Sequence, residues 1–197
     1  MPDIIHALTV DVEDFTSGLY LKFLRKNIQP SRDVEYFTKK YLEIFSQYKV
    51  KATCFILGEV ADQFPILIKD ISAGKHEIGV HGWDHEYVYN MDKKKFRSYI
   101  ERAKKVLEDI SGVEVVGYRA PAMSITKNCV WVYDILAELG FLYSSSLFRI
   151  DGYKLNYMLL KNGVYLINVE KNKILEIPLS TINIAGIKFP ILGGGYL

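Results

Sequence analysis

The sequence predicts an α/β protein built around a parallel sheet, either open or closed as a barrel. Four strand-like apolar runs are each followed by a segment in which apolar residues recur at helical spacing, and the connections between them are short. Three of the strand-like runs end at a polar residue: Asp11, His81 or Arg119. Because the carboxyl ends of parallel strands meet at one edge, where α/β folds carry their active sites, we expect these three residues to converge.

The composition fits a single domain that comprises residues 1–197. A length of 197 residues with 49% hydrophobic content is enough for a sizeable core. The formal net charge of +2 gives no broad attraction for nucleic acid or for an anionic membrane, so neither is expected as a partner. No stretch approaches the roughly 18 consecutive apolar residues of a transmembrane segment, and the first residues lack a secretory signal, which predicts a cytoplasmic protein.

Buried strands are expected wherever β-branched and apolar residues form short runs. These runs span residues 4–10, 51–57, 76–81, 115–119 and 141–145. The first stops at an acidic group made of Asp11, Glu13 and Asp14, and Pro121 forces the chain out of the sheet just beyond the fourth. Three later runs, at residues 164–169, 174–178 and 184–192, indicate further strands and turns.

Helices are predicted between these strands by the spacing of apolar residues. They cover residues 34–48, 60–71, 96–110 and 130–137. The candidate N-caps are Ser31 and Asp33 for the first helix, Asp92 for the third and Thr126 for the fourth. Glycines are placed to end the last three helices at positions 74, 112 and 140, and Gly74 is expected to adopt a left-handed conformation.

His81 and His85 make a metal site the first hypothesis about function. They stand four residues apart at the end of the third strand, and a pair of neutral imidazoles at this spacing can bind one divalent ion. The alternative is that both are loop residues that hydrogen-bond to the backbone. His6 and His76 are expected to be structural or exposed.

Four segments carry a family resemblance. They are Thr-Val-Asp-Val-Glu-Asp at residues 9–14, Lys-Ala-Thr-Cys-Phe-Ile-Leu-Gly at 51–58, His-Gly-Trp-Asp-His at 81–85 and Gly-Tyr-Arg-Ala-Pro at 117–121. In this order they resemble the NodB-type polysaccharide deacetylases, also called carbohydrate esterase family 4, and are most similar to the branch found with exopolysaccharide gene clusters. The resemblance runs from about residue 8 to residue 148.

The resemblance implies a distorted, incomplete (β/α) barrel and a metal-dependent hydrolase. The expected reaction removes N-acetyl groups from amino sugars of a polysaccharide or its precursor, which is hydrolysis of a non-peptide C–N amide bond. The expected cofactor is a divalent metal, zinc above all, with cobalt, nickel and iron as alternatives. Such an ion, held by two imidazoles and a carboxylate, activates water and polarises the acetyl carbonyl.

By the same resemblance, Asp11 is assigned as the catalytic base and Asp14 joins His81 and His85 as the third metal ligand. Most members of the family carry two adjacent aspartates, whereas this chain has Asp11, Glu13 and Asp14. Strand alternation puts Asp11 and Glu13 on one face, so Glu13 rivals Asp14 as the third ligand. A different register would make Glu13 the base beside Asp14.

The remaining assignments concern substrate and transition state. Arg119 is expected to orient the base and keep it ionised, although an ordinary surface ion pair is the alternative. Backbone N–H groups after Pro121, near Ala122, are expected to help hold the oxyanion. Aromatic side chains that could stack on sugar rings include Trp83, with Phe15, Tyr20 and Tyr87 as others, although packing explains them equally well.

One departure from the family pattern concerns the general acid. The family supplies a late histidine to protonate the leaving amine, and this sequence has none after His85. We therefore expect a domain truncated at its C-terminus, without its last strand or strands, and a homodimer through the open edge of the barrel. The alternatives are a metal- or carbohydrate-binding remnant without activity and an amidase of the same fold acting on a non-sugar amide.

Overall fold

The computed structural model describes residues 7–14, 30–147, 163–168, 173–184 and 187–190. The chain divides into two compact units, Met1–His85 with Ser98–Val115 and Glu86–Arg97 with Val116–Leu197. Both units contain parallel strands with helices between them, so the predicted α/β class is confirmed. A single domain over residues 1–197 stays a prediction. In the described part of the chain no helix has the length and apolar character to cross a bilayer.

Three parallel strands form the sheet of the first unit. Strand β1 (Thr9–Val12) pairs with β2 (Thr53–Ile56), which pairs in turn with β3 (Glu77–Val80). The register places Asp11 beside Phe55. The side chains from Cys54 to Ile56 are at most 1% exposed, as expected for a parallel strand covered on both faces.

Three helices lie in the described part of the first unit before residue 85. Helix α1 (Arg32–Gln47) is capped by Ser31, whose hydroxyl accepts the Asp33 N–H at 3.2 Å. The predicted helix over residues 60–71 is instead two helices, α2 (Gly58–Gln63) and α3 (Pro65–Ala73). The break follows from proline chemistry, because Pro65 cannot donate to the preceding turn and is suited to the first position of a new helix.

The end of α3 differs from the prediction. Gly74 has φ −67°, a right-handed value, and Lys75 takes the left-handed conformation with φ 57°. The expectation of a left-handed Gly74 is therefore wrong by one residue. Gly112 and Gly140 are left-handed as their positions after helices lead one to expect, with φ 71° and 81°.

Helix α4 (Lys93–Ser111) is the longest element and confirms the third predicted helix. Asp92 caps it, because its Oδ1 accepts the Lys95 N–H at 2.8 Å. Its buried residues recur at helical spacing and are Phe96, Ile100, Ala103 and Leu107.

The second unit contains a sheet of four strands and helix α5 (Val132–Glu138). Its strands are β4 (Gly117–Tyr118), β5 (Tyr143–Ser144), β6 (Tyr165–Asn168) and β7 (Lys173–Glu176). Strand β5 runs parallel to both β4 and β7, and β6 pairs with β7 in the antiparallel sense. Thr126 does not cap α5, which begins six residues later at Val132, and its hydroxyl accepts the Asn128 N–H at 3.3 Å in a turn.

The prediction of strands and turns over residues 184–192 is confirmed in the described part of that run, although the first strand begins earlier, at Thr181. Strands β8 (Thr181–Ile184) and β9 (Ile187–Pro190) form an antiparallel hairpin in which Ile184 faces Ile187. The apolar run continued through the hairpin, so periodicity alone gave no boundary. Phe15, Tyr20 and the terminal glycines lie outside the described residues.

Candidate metal centre

A carboxylate and two imidazoles come together where β1 and β3 end. Glu13 Oε2 lies 2.8 Å from His85 Nε2 and 3.2 Å from His81 Nε2. Both histidines are buried, at 1% and 6% exposure, and the Glu13 side chain is 24% exposed. The three residues all belong to the first unit and together offer three ligand atoms within 4.8 Å of one another.

The backbone around the histidines explains how the loop is held. The His81 N–H extends the β2–β3 ladder by donating to the Ile56 carbonyl at 2.9 Å. Left-handed conformations at Gly82 and His85, with φ 89° and 61°, then turn the chain so that His85 returns beside His81. A histidine held at positive φ is uncommon and is typical of a functional site.

The N-terminus of α2 binds the loop of residues 81–85 that carries both histidines. The N–H groups of Gly58 and Glu59 donate to the carbonyls of Gly82 and Trp83, each at 3.0 Å. These two N–H groups have no partner within their own helix, so the loop satisfies them. The N-terminus of α2 and the loop that carries the two histidines therefore stabilise each other.

Trp83 packs between two neighbours of the same unit. A Cβ built at Gly58 would lie 2.4 Å from Trp83 Cε3, so glycine is the residue that fits there. The Arg102 guanidinium lies 3.4 Å from the centroid of the Trp83 ring, a cation–π arrangement. One ring face is thus covered by Arg102, which leaves less of this side chain for the sugar stacking predicted from the sequence.

The donor set fits a divalent cation. Glu13 Oε2 is buried and, among the described residues, has no aligned hydrogen-bond donor, although two imidazole nitrogens lie close to it. Ligand atoms in a tetrahedral zinc site lie about 3.3 Å apart, close to the separations seen here. Lone pairs that converge without donors between them are stabilised by a cation, so this cluster is a possible metal site.

The electrostatics of Glu13 favour its charged form. Burial by itself would raise the pKa of this carboxyl, but the proximity and positive charge of the His81 and His85 imidazoles outweigh burial and hold the pKa well below its usual range. An ionised Glu13 is the form that a metal ligand requires.

Asp14 lies elsewhere. Its Oδ2 accepts hydrogen bonds from the Ser31 N–H at 2.9 Å and from the Ser31 hydroxyl at 2.5 Å, and the residue is 2% exposed. The structure therefore brings Glu13, and not Asp14, to the two imidazoles. Alternation explains the difference, because Val12 and Asp14 turn to the buried side while Asp11 and Glu13 share the other face.

Asp11, assigned as the base, lies beside the cluster. Its Oδ2 is 4.0 Å from His81 Nε2, and its side chain is 26% exposed. A partly exposed carboxylate at this distance can reach a water molecule near the cluster, which is the position that a general base needs.

The predicted site residues of the second unit are held by their own neighbours. Arg119 is 3% exposed, and its Nε and Nη2 donate to the Ser145 carbonyl at 3.0 Å and the Ser145 hydroxyl at 2.9 Å. Pro121 is buried and begins a short 3₁₀ turn (Pro121–Met123), in which Ala122 is left-handed with φ 49°. A left-handed alanine is strained, as is typical of functional loops.

Two groups have contacts that the sequence pattern does not predict. Ser31, predicted as a helix cap, is half-buried and also binds Asp14. Glu176 is fully buried at the end of β7, although the same strand-end signal that drew attention to Asp11 was present there.

Comparisons with known proteins identify relatives of this chain. The family model described as polysaccharide deacetylase matches residues 26–143. A peptidoglycan-N-acetylglucosamine deacetylase of Bacillus cereus is 34% identical over 92 residues, which are 47% of this chain and 34% of that protein. A peptidoglycan deacetylase of Helicobacter pylori is 29% identical over 112 residues, which are 57% of this chain and 37% of that protein.

Solved structures give the same result for the fold. The crystal structure of a proposed polysaccharide deacetylase from Mycobacterium smegmatis has a TM-score of 0.71 and 29% identity, and the match covers 88% of this chain and 58% of that one. The chain spans about a third of the length of the two curated relatives. Since the family model matches more than half of the 197 residues, this chain belongs to the polysaccharide deacetylase family.

Proposed function

We propose that this protein hydrolyses N-acetyl groups from amino sugars of a polysaccharide or its precursor with the help of a divalent metal. The cluster of Glu13, His81 and His85 carries the proposal, because a partly exposed carboxylate and two buried imidazoles offer one oxygen and two nitrogen ligands at the end of parallel strands. Two imidazoles and one carboxylate suit zinc, with one coordination position left for water. The relatives described as peptidoglycan deacetylases support an N-acetylated sugar as the substrate.

The metal would lower the pKa of a bound water and polarise the acetyl carbonyl. In our proposal Asp11 accepts the proton of the attacking water, the C–N bond breaks, and acetate and a free amine are released. Asp11 returns this proton to the leaving nitrogen as the C–N bond breaks. Arg119 is proposed to stabilise the ionised base, and the N–H groups near Ala122 the oxyanion.

Metal content and acetate release test the proposal together. His81→Ala should lose stoichiometric zinc and the release of acetate from N-acetylglucosamine oligomers, because it removes one of three ligands. Two isosteric amide substitutions, one at each candidate acid, then identify the carboxylate ligand. Glu13→Gln should weaken zinc binding about 10-fold or more, whereas the matched control Asp14→Asn should retain zinc and lose stability through its bond to Ser31.

Each outcome has a separate meaning. Zinc lost from Asp14→Asn but kept by Glu13→Gln would transfer the ligand role to Asp14. Zinc bound by the wild type without any acetate release would favour the second candidate, a metal-binding remnant. Turnover of small amides alone would favour an amidase.

A cytoplasmic location and a homodimer stay predictions. Sedimentation of the purified protein tests the homodimer.

A further inference from the structure

We propose that Glu176 is a positioning residue for Arg119 and acts through the segment of residues 144–147. All of these residues belong to the second unit. The structural part of the inference stands by itself, and its consequence for catalysis rests on the function proposed above.

The Glu176 carboxylate binds the segment directly. It is 0% exposed, and its Oε1 accepts the N–H groups of Ser146 at 2.9 Å and Leu147 at 3.0 Å. Its Oε2 accepts the Tyr133 hydroxyl at 3.2 Å. One carboxylate oxygen thus fixes two consecutive peptide groups just past the end of β5.

The carboxylate bridges a gap in the backbone ladder between β5 and β7. The Ile177 N–H donates to the Ser144 carbonyl, and the ladder resumes where the Leu179 N–H donates to the Leu147 carbonyl, both at 2.8 Å. Between these two bonds the Ser146 and Leu147 N–H groups turn to Glu176. Buried N–H groups without acceptors are costly, so this side chain stabilises the local path of the chain.

The same segment holds Arg119 and the residue after it. The Arg119 guanidinium donates to the Ser145 carbonyl and hydroxyl, and the Ala120 N–H donates to the Ser146 hydroxyl at 2.9 Å. The Ser146 hydroxyl lies a further 2.8 Å from that of Ser144. Any shift of residues 145 and 146 therefore moves the acceptors that orient Arg119.

The environment of Glu176 combines burial with several hydrogen-bond donors. Burial raises its pKa to about 7, against the opposing effect of hydrogen bonds from Ser144, Ser146, Leu147 and Tyr133. The titratable groups that face it are Tyr133 from α5, Tyr118 from β4 and Tyr165, its partner on β6. An apolar residue would avoid the cost of burying a carboxyl but would leave two N–H groups unpaired.

Solvent exchange of the Arg119 Nε–H, followed by NMR of ¹⁵N-arginine-labelled protein and assigned with Arg119→Lys, tests the structural part. Glu176→Leu removes both acceptor oxygens at similar volume and should speed this exchange about 10-fold or more. Glu176→Gln keeps an oxygen for the two N–H groups and should restore exchange to within about 3-fold of wild type. Tyr133→Phe, the matched control, removes only the bond to Oε2 and should leave exchange unchanged.

A folded Glu176→Leu protein with wild-type exchange at Arg119 would overturn the inference, and so would equal acceleration at amides throughout the chain. If Glu176→Leu does not fold, Glu176→Asp takes its place, since its carboxylate is one methylene shorter and is withdrawn from the N–H groups of Ser146 and Leu147. Its expected result is the same acceleration at Arg119, and unchanged exchange would overturn the inference.

Acetate release tests the catalytic consequence. Glu176→Leu should lower kcat about 10- to 100-fold with little change in KM, because misplacement of a catalytic group affects the transition state. In an Arg119→Lys background the same change should have almost no further effect, whereas full additivity would show that Glu176 does not act through Arg119. If the wild type releases no acetate, the proposed function fails, and the exchange experiment still decides the role of Glu176.

Discussion

Replacing Gly58 with alanine tests whether Trp83 sets the position of the loop that carries His81 and His85. The new Cβ would lie 2.4 Å from Trp83 Cε3 and 2.8 Å from Cζ3, and 3.1 Å from the Ala103 Cβ. Carbon atoms in contact lie about 3.5–4.0 Å apart, so the indole must move by about 1 Å. The Trp83 carbonyl accepts the Glu59 N–H, so the indole cannot move away from α2 without straining the backbone that joins it to His81 and His85.

The expected magnitudes follow from this displacement. Metal sites tolerate deviations of roughly 0.2 Å in ligand distance, so we expect zinc affinity to fall about 10- to 100-fold. Overpacking costs about 1–3 kcal/mol, and alanine in a helix regains roughly 1 kcal/mol, so the free energy of unfolding of the metal-free protein should fall by about 0–2 kcal/mol. Zinc competition with a chromophoric chelator and urea unfolding of the metal-free protein measure the two quantities.

Gly74→Ala is the matched control. Its Cβ would lie 2.7 Å from the His76 ring, so it creates a similar clash against an imidazole outside the metal cluster. It should lower stability and leave zinc affinity unchanged. Wild-type zinc affinity in Gly58→Ala would refute the reasoning, because the loop would then be independent of the packing between Gly58 and Trp83.

Three other changes test separate features. The pKa of Glu176 is about 7 in the folded protein and 4.5 in the unfolded chain. The folded state therefore binds this proton more tightly, and the free energy of unfolding should fall by about 3 kcal/mol as the pH rises from 4.5 to 7. Urea unfolding of Glu176→Gln across this pH range should show no such fall. Burial raises the pKa of the Cys54 thiol to about 12, so iodoacetamide at pH 8 should modify it in urea but not in the folded protein. Lys49→Gly should raise the free energy of unfolding by up to about 1 kcal/mol, measured by thermal unfolding, because Lys49 has φ 54°.

The sequence was most informative where one physical signal dominated. Apolar β-branched runs located the parallel strands of the first unit, because strands buried on both faces leave no polar position. It was less informative where two signals competed. Apolar spacing continued through Phe64 and Pro65, and only the proline marked the boundary between α2 and α3.

The cluster of Glu13, His81 and His85 shows how strand alternation and a family motif can favour different carboxylates. The motif assigned Asp14 as a ligand by its order among the acids, whereas strand alternation favoured Glu13, which shares a face with Asp11. The structure follows alternation because the face of Asp14 is committed to Ser31 and the N-terminus of α1, where a carboxylate also gains from the helix dipole. Glutamate is one methylene longer than aspartate, so Glu13 reaches both imidazoles without any movement of β1. The longer side chain of Glu13 thus places a carboxylate beside both imidazoles, and Asp14 remains with Ser31.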